Sequence, residues 1–170
     1  MSPEINVELS EYTKDAHPAL YLQEFQRIVN EKFKIHIFIY TDCSKCAAGV
    51  GSADLCNGNS KRETLPKIAS VFSAELHAIQ LALRIIMERG DGDYVIVTDS
   101  LSSLQNIGDK QTKHPISRKI QHLYQQHKRE IYVDTVTWVL TETNKLCNRK
   151  ISCATPAAIH SNKLQTGIRR

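Results

Sequence analysis

Three acidic residues stand where regular structure would hold them still. Asp42 ends the alternating, β-branched and aromatic run Ile35-His36-Ile37-Phe38-Ile39-Tyr40-Thr41, and Asp99 ends the apolar run Tyr94-Val95-Ile96-Val97-Thr98. Glu75 lies in the first turn of a helical pattern from Ser70 to Gly90. At about 100° per residue it falls in line with Ile79, Ala82 and Ile86, on the face that such a helix buries. One ionised carboxylate is costly to bury, and three close together repel unless cations neutralise them. Carboxylates with water suit hard divalent ions, Mg²⁺ or Mn²⁺, and no ordered His–Cys cluster offers a softer set. Two such ions about 4 Å apart can activate a water on one side of a phosphodiester and stabilise the leaving oxygen on the other.

Each acid also has a quieter reading. A strand-terminal aspartate is often a turn former or a helix cap, and Asp99 before Ser100-Leu101 suits that role. Asp42 could open an Asx-turn, and Glu75 could complement a helix dipole, although its inward direction argues against a solvated role.

The elements that would position these acids follow from periodicity. The Asp42 run reads as a strand, and Ala47 to Ala53 follows too closely to be anything but its hairpin partner. A second turn at Asn57-Gly58-Asn59 leads to a third strand, Lys61 to Ile68, so the three form an antiparallel meander. The Gly49-x-Gly51 pair is no phosphate loop, because no helix follows it. In the Ser70 to Gly90 helix Ser73 is the expected N-cap, with His77, Gln80, Arg84 and Glu88 on one polar stripe. Tyr94 to Ser100 is a strand of the kind buried on both faces. A short helix from Ser100 to Ile107 stops at Gly108, and Pro115 opens another with Ile116, Ile120, Leu123, Tyr124 and His127 inward. The outer face of that helix carries Arg118, Lys119, Lys128 and Arg129. Tyr132 to Leu140 is the last strand, reaching Trp138, and Thr141 to Arg170 has no apolar period.

Ahead of the first strand, Leu22, Phe25, Ile28, Val29 and Phe33 recur at helical spacing. The expected organisation is residues 1–34 as an arm carrying a short amphipathic helix, 35–140 as the domain, and 141–170 as an irregular tail. At 170 residues the chain is long enough for one core without staples. The formal charge of +4 permits a polyanionic partner without demanding one. Five cysteines at irregular spacing disfavour a secreted disulfide framework. Free thiols are expected rather than a zinc site built on Cys43-x-x-Cys46 with Cys147 and Cys153. No apolar run approaches the ~20 residues of a membrane span, and the polar start is not signal-like. An intracellular protein, cytoplasmic or nuclear and monomeric as an isolated domain, is the expectation.

Four stretches in order and register now carry a resemblance: Ile39-Tyr40-Thr41-Asp42-Cys43-Ser44-Lys45, Ala48-Gly49-Val50-Gly51, Ser73-Ala74-Glu75-Leu76-x-Ala78-Ile79, and Thr98-Asp99-Ser100-Leu101-Ser102-Ser103-Leu104-Gln105. Together they resemble the type 1 ribonuclease H domain, in the version carried behind the reverse transcriptase of insect non-LTR retrotransposons. The likeness spans Ile35 to Trp138, and the preceding segment is similar to the linker before that domain. The resemblance implies an α/β fold with a five-stranded mixed sheet, the meander plus two parallel strands, and helices on its faces. It implies endonucleolytic cleavage of the RNA strand of an RNA–DNA hybrid, with two Mg²⁺ (or Mn²⁺) ions. Asp42, Glu75 and Asp99 match three of the family's four metal-binding acids, and Glu75 would also lie near the 2′-hydroxyls. Ser44, Ser100, Arg118 and Lys119 are the candidate nucleic-acid contacts. Recognition would follow backbone geometry and the 2′-hydroxyl rather than sequence.

The resemblance breaks after Trp138. Where the family has its histidine this chain has Glu142, and where it has its fourth acid this chain has Ser152; Asp134 and Glu142 are available but misplaced. Residues 141–170 resemble a different sequence joined to an intact domain by splicing or a frameshift. The final helix is therefore expected to be missing, leaving part of one sheet face exposed, and activity to be reduced by orders of magnitude. Cys43 stands where the family has Gly; if that position needs a positive φ, the cysteine costs about 1 kcal/mol and shifts Asp42. The competing functions are a nucleic-acid-binding module without catalysis and a retrotransposon fragment with no selected function.

Overall fold

A computed structural model describes residues 4–11, 18–47, 49–89, 92–126 and 131–135. Trp138, Leu140, Glu142, Ser152 and the whole 141–170 tail lie outside them, as do His127, Lys128, Arg129, Cys147 and Cys153. In chain order the elements are β1 (Glu4–Asn6), a 3-10 turn (Glu8–Glu11), α1 (Pro18–Lys32), β2 (Ile37–Cys46), β3 (Gly49–Cys56), β4 (Asn59–Leu65), α2 (Val71–Arg89), β5 (Tyr94–Thr98), α3 (Leu101–Gly108), α4 (Pro115–Gln126) and β6 (Ile131–Thr135).

One mixed sheet runs in the order β1-β6-β5-β2-β3-β4. Strands β2, β3 and β4 form the antiparallel meander, while β5 joins β2 in parallel and β6 joins β5 in parallel. The turn between β3 and β4 puts Asn57 at φ 49 and Gly58 at φ 77. Two left-handed residues in succession give the twist that a two-residue hairpin requires. Among the described residues the sheet has six strands rather than the expected five, because β1 adds in parallel to β6 from Glu4↔Tyr132 to Asn6↔Asp134. Three residues are too few for an alternation to register in the sequence.

Strand β5 is buried at every position, and its alternate side chains feed two cores. Tyr94 and Ile96 join Ile39, Cys56, Leu76, Ile79, Ile86 and Leu104 under α2, α3 and α4. Val95 and Val97 join Leu9, Tyr21, Phe25, Ile28 and Phe33, with Phe38 and Tyr40 packed alongside. In the second core α1 lies over β2 and β5, so the segment before the first predicted strand is a packed layer as well as an arm. Its stripe also differs from the expected one: Tyr21 is buried and Leu22 is 42% exposed. Tyr21, Phe25 and Ile28 continue one helical face, and Leu22 falls on its margin.

Helix α2 starts one turn earlier than the expected cap. Ser70, not Ser73, accepts the free backbone N–H, with Ser73 N–H to Ser70 Oγ at 3.0 Å. The polar stripe of α2 meets the side chains of the meander. Arg84 pairs with Glu63, His77 meets Glu63 and Ser52, and Lys61 bonds Glu88. Gln80 is itself buried.

Candidate metal and nucleic-acid site

The register of the parallel pair sets two of the three acids level. Strands β2 and β5 align from Ile37↔Tyr94 to Tyr40↔Val97, and two further residues bring Asp42 opposite Asp99. Adjacent strands lie about 4.8 Å apart. The buried Thr41 hydroxyl bonds the Val97 carbonyl at 3.2 Å and ties the strands together just before the acids. Burial, reinforced by the charge of Asp99, pushes the Asp42 carboxyl up to about 6, against the pull of its bond from the Cys43 backbone N–H. That N–H reaches Asp42 Oδ1 at 2.8 Å.

Asp42 does not end its strand. Strand β2 continues to Cys46 because β3 keeps pairing with it beyond Asp42, from Cys43↔Ser52 to Cys46↔Gly49. An Asx-turn at Asp42 is therefore excluded. The cap reading of Asp99 also gives way, since Ser100 caps α3: its Oγ accepts the Ser103 N–H at 3.4 Å and bonds Ser103 Oγ at 2.7 Å. Asp99 is exposed and engages no partner among the described residues.

Glu75 approaches from the other side of the sheet. Side chains alternate along β2, so Ile39, Thr41 and Cys43 face α2 while Phe38, Tyr40, Asp42 and Ser44 point away. Cys43 thus stands between Glu75 and the strand. Its Sγ–H donates to Glu75 Oε1 at 2.9 Å, and Sγ lies 3.8 Å from the Val71 carbonyl oxygen. Glu75 Oε2 is buried with no hydrogen-bond partner among the described residues. Burial, helped by the charges of Asp99 and Asp42, raises the Glu75 carboxyl to about 7 despite the thiol bond. Burial and the same three acids hold the Cys43 thiol protonated, well above the usual thiol range.

Asp42, Glu75 and Asp99 consequently act on one another electrostatically, yet among the described residues no three His, Cys, Asp or Glu side chains converge on one point as ligands. The donor set fits a hard divalent ion in its chemistry: three carboxylates that repel and one buried carboxylate oxygen without a partner. The Cys43 strain is absent, because among the described non-glycine residues only Asn57 has positive φ. Cys43, Cys46 and Cys56 are free thiols.

The candidate nucleic-acid contacts divide between two places. Ser44 is half-buried in β2 opposite Gly51, two residues beyond Asp42 on the same face, and Ser100 follows Asp99 directly. Arg118 and Lys119 are exposed on α4 and form no ion pair among the described residues. Lys119 is near enough to His77 on α2 to act on it: burial lowers the His77 pKa first, Glu63 opposes, and Arg84 and Lys119 add to the lowering.

Sequence reasoning missed a second polar cluster between β3, β4 and α2. Ser52 Oγ meets His77 Nδ1 at 2.9 Å, His77 Nε2 lies 3.2 Å from Glu63, and Glu63 holds Arg84 at 3.2 Å. Asp54, 1% exposed, sits beside them with neither carboxylate oxygen hydrogen-bonded among the described residues. The available signal was the alternation Ser52-x-Asp54-x-Cys56, which sends all three residues toward α2.

No helix among the described residues is long and apolar enough to cross a membrane. Over residues 52–149 the chain matches a family described as reverse transcriptase-like. Glu75 and Asp99 fall inside that span, and Asp42 precedes it. No curated protein matches the chain.

Proposed function

The chain belongs to the reverse transcriptase-like family, with its ribonuclease H-like fold, and from that premise we propose that it is a ribonuclease H-type domain. Its substrate is an RNA–DNA hybrid whose RNA strand is hydrolysed with divalent ions, Mg²⁺ or Mn²⁺. The observation that carries this reading is the parallel register that levels Asp42 with Asp99 while Glu75 leans toward the same strand end. Burial and the charge of Asp99 raise both the Asp42 and the Glu75 carboxyls, and with no basic side chain bonded to any of the three acids among the described residues, they form a site that a cation would complete.

Asp42, Glu75 and Asp99 would hold the ions, which when bound supply an activated water and charge stabilisation at the leaving oxygen. Ser44 and Ser100 flank the acids and offer hydroxyls to the hybrid backbone. Arg118 and Lys119 add phosphate contacts that orient the duplex without reading its sequence. Ser152 and Glu142 replace the family's fourth acid and histidine, so turnover is reduced by orders of magnitude. We place the domain with the retrotransposon version on the motifs around Asp42, Glu75 and Asp99.

The test is cleavage of an RNA–DNA hybrid in Mn²⁺ or Mg²⁺ by the chain and by Asp99→Asn. Weak cutting that falls a further ~10²-fold or more in the variant supports the reading. Cutting that ignores the substitution refutes it. Arg118 and Lys119, exposed and without an ion pair among the described residues, favour one second reading, a binding module without catalysis. It predicts hybrid binding that weakens steeply with salt while the RNA stays intact.

A further inference from the structure

We propose that the face of the meander turned away from α2 is a further stretch of nucleic-acid interface, on which Arg62 holds a backbone phosphate of the hybrid. The inference rests on the reading of this chain as a domain that binds an RNA–DNA hybrid, and it names another place where the hybrid lies. Strand parity and register carry it. Lys61 and Glu63 bond side chains of α2, so Arg62 and Thr64 point the other way. Cys43 bonds Glu75 of α2, so Asp42 and Ser44 also point away from the helix. The pairings Asp42↔Ala53 and Ala53↔Arg62 set acid, alanine and arginine in one row across β2, β3 and β4. Ser44, Gly51 and Thr64 form the next row in the same way.

The two rows make a shallow trough whose floor, Ala53 and Gly51, is built from the smallest residue types. Helix α1 packs over Phe38 and Tyr40 further back on β2, while Arg62 and Thr64 on β4 are exposed. The meander's cations that face α2 are engaged: Lys45 bonds the Ala69 carbonyl and Lys61 bonds Glu88. Arg62 forms no ion pair or hydrogen bond among the described residues. On this face Arg62 and Asp42 are the only charged side chains among the described residues of the meander. Two strand spacings put their backbones about 10 Å apart, roughly three nucleotides of axial rise along one strand. A guanidinium there can take two phosphate oxygens at once, and its charge offsets the repulsion between Asp42 and a polyanion. The Thr64 hydroxyl can donate to the same backbone.

The experiment measures binding of a short RNA–DNA hybrid by fluorescence anisotropy at stepped salt, with Mg²⁺ held constant. Arg62→Gln is compared with the unaltered chain and with Lys34→Gln, an exposed cation ahead of the far end of β2; circular dichroism checks that each variant folds. Arg62→Gln should weaken binding several-fold at low salt and lower the salt slope by about one, and Lys34→Gln should do neither. Hybrids with a single neutral methylphosphonate, stepped along either strand, then locate the contact. At the phosphate that Arg62 holds, neutralisation should weaken binding to the chain but not to Arg62→Gln, and the strand on which this happens is the one held. If the chain binds the hybrid but Arg62→Gln behaves like Lys34→Gln, or no phosphate couples to Arg62, this role of Arg62 is overturned and the hybrid reading stands. If the chain binds no hybrid, that reading falls and this inference with it.

Discussion

Asp54→Asn should stabilise this fold at neutral and alkaline pH and leave it little changed in acid. The residue is 1% exposed and neither carboxylate oxygen is hydrogen-bonded among the described residues. Burial first, then the nearby Glu63, pushes it from the ordinary 3.8 up to about 8, with Arg84 and Lys61 pulling the other way. Below the unfolded value both states carry the proton, and Asp54 costs nothing beyond its burial as a neutral acid. Between the two values the folded chain keeps a proton that the unfolded chain has released, so stability falls as pH rises. Each pH unit is worth about 1.4 kcal/mol, which makes the full loss roughly 4 to 6 kcal/mol by about pH 8, where the slope ends. Asparagine removes the ionisation and keeps the shape. Urea unfolding of both proteins at steps from about pH 5 to about pH 9 should show two lines close together in acid that separate by several kcal/mol in alkali. The difference between the proteins cancels every other titrating group. A flat difference, or a variant less stable than its parent at alkaline pH, would mean that Asp54 is ionised and paired in the fold, and the reasoning would fail.

Two further outcomes test the layers around the site. Ile28→Ala in α1 removes a side chain with 0% exposure packed in the second core; it should cost about 2–5 kcal/mol in thermal or urea unfolding, as core truncations do. A cost below about 0.5 kcal/mol would make α1 a surface arm rather than a layer of the fold. Replacing Arg118 and Lys119 by Gln should weaken hybrid binding several-fold at low salt and lower the salt slope by about one per residue. Unchanged affinity would return that helix face to an ordinary solvated surface.

Much of this architecture was legible because its strands and helices advertise themselves by period. Alternation in β2, the unbroken apolar run of β5 and the Asn57-Gly58 turn are local properties, and local properties survive in a bare sequence. What escaped was non-local. Strand β1 is three residues supported by pairing with β6, far away in the chain, and by Ile5 packing on the first core. Helix α1 was legible as a helix, but not as the cover of the Val95 and Val97 face of β5. The polar stripe of α2 was legible as a stripe, but its partners Glu63, Ser52 and Lys61 come from strands that the helix meets only after folding. The candidate site was half visible: residue types and strand positions brought out Asp42, Glu75 and Asp99 as proposed ligands.

The other half of the site depends on strand parity, a consequence of the fold that residue types do not reveal. Successive side chains on a strand point to opposite faces, so Asp42 and Cys43 cannot both face Glu75. Because Cys56 and Ile39 pack under α2, parity assigns Cys43 to the α2 side and Asp42 to the other. Glu75 can then reach Asp42 only across residue 43, and the size of that side chain decides whether it does. A residue without a side chain would leave the crossing open, whereas the cysteine fills it and bonds the carboxylate. The same parity explains why the charge of Asp99 bears on Asp42 and Glu75 while, among the described residues, the three acids do not converge as ligands. Position 43 is thus the most informative substitution in the chain: it changes the distance between two acids without altering either acid.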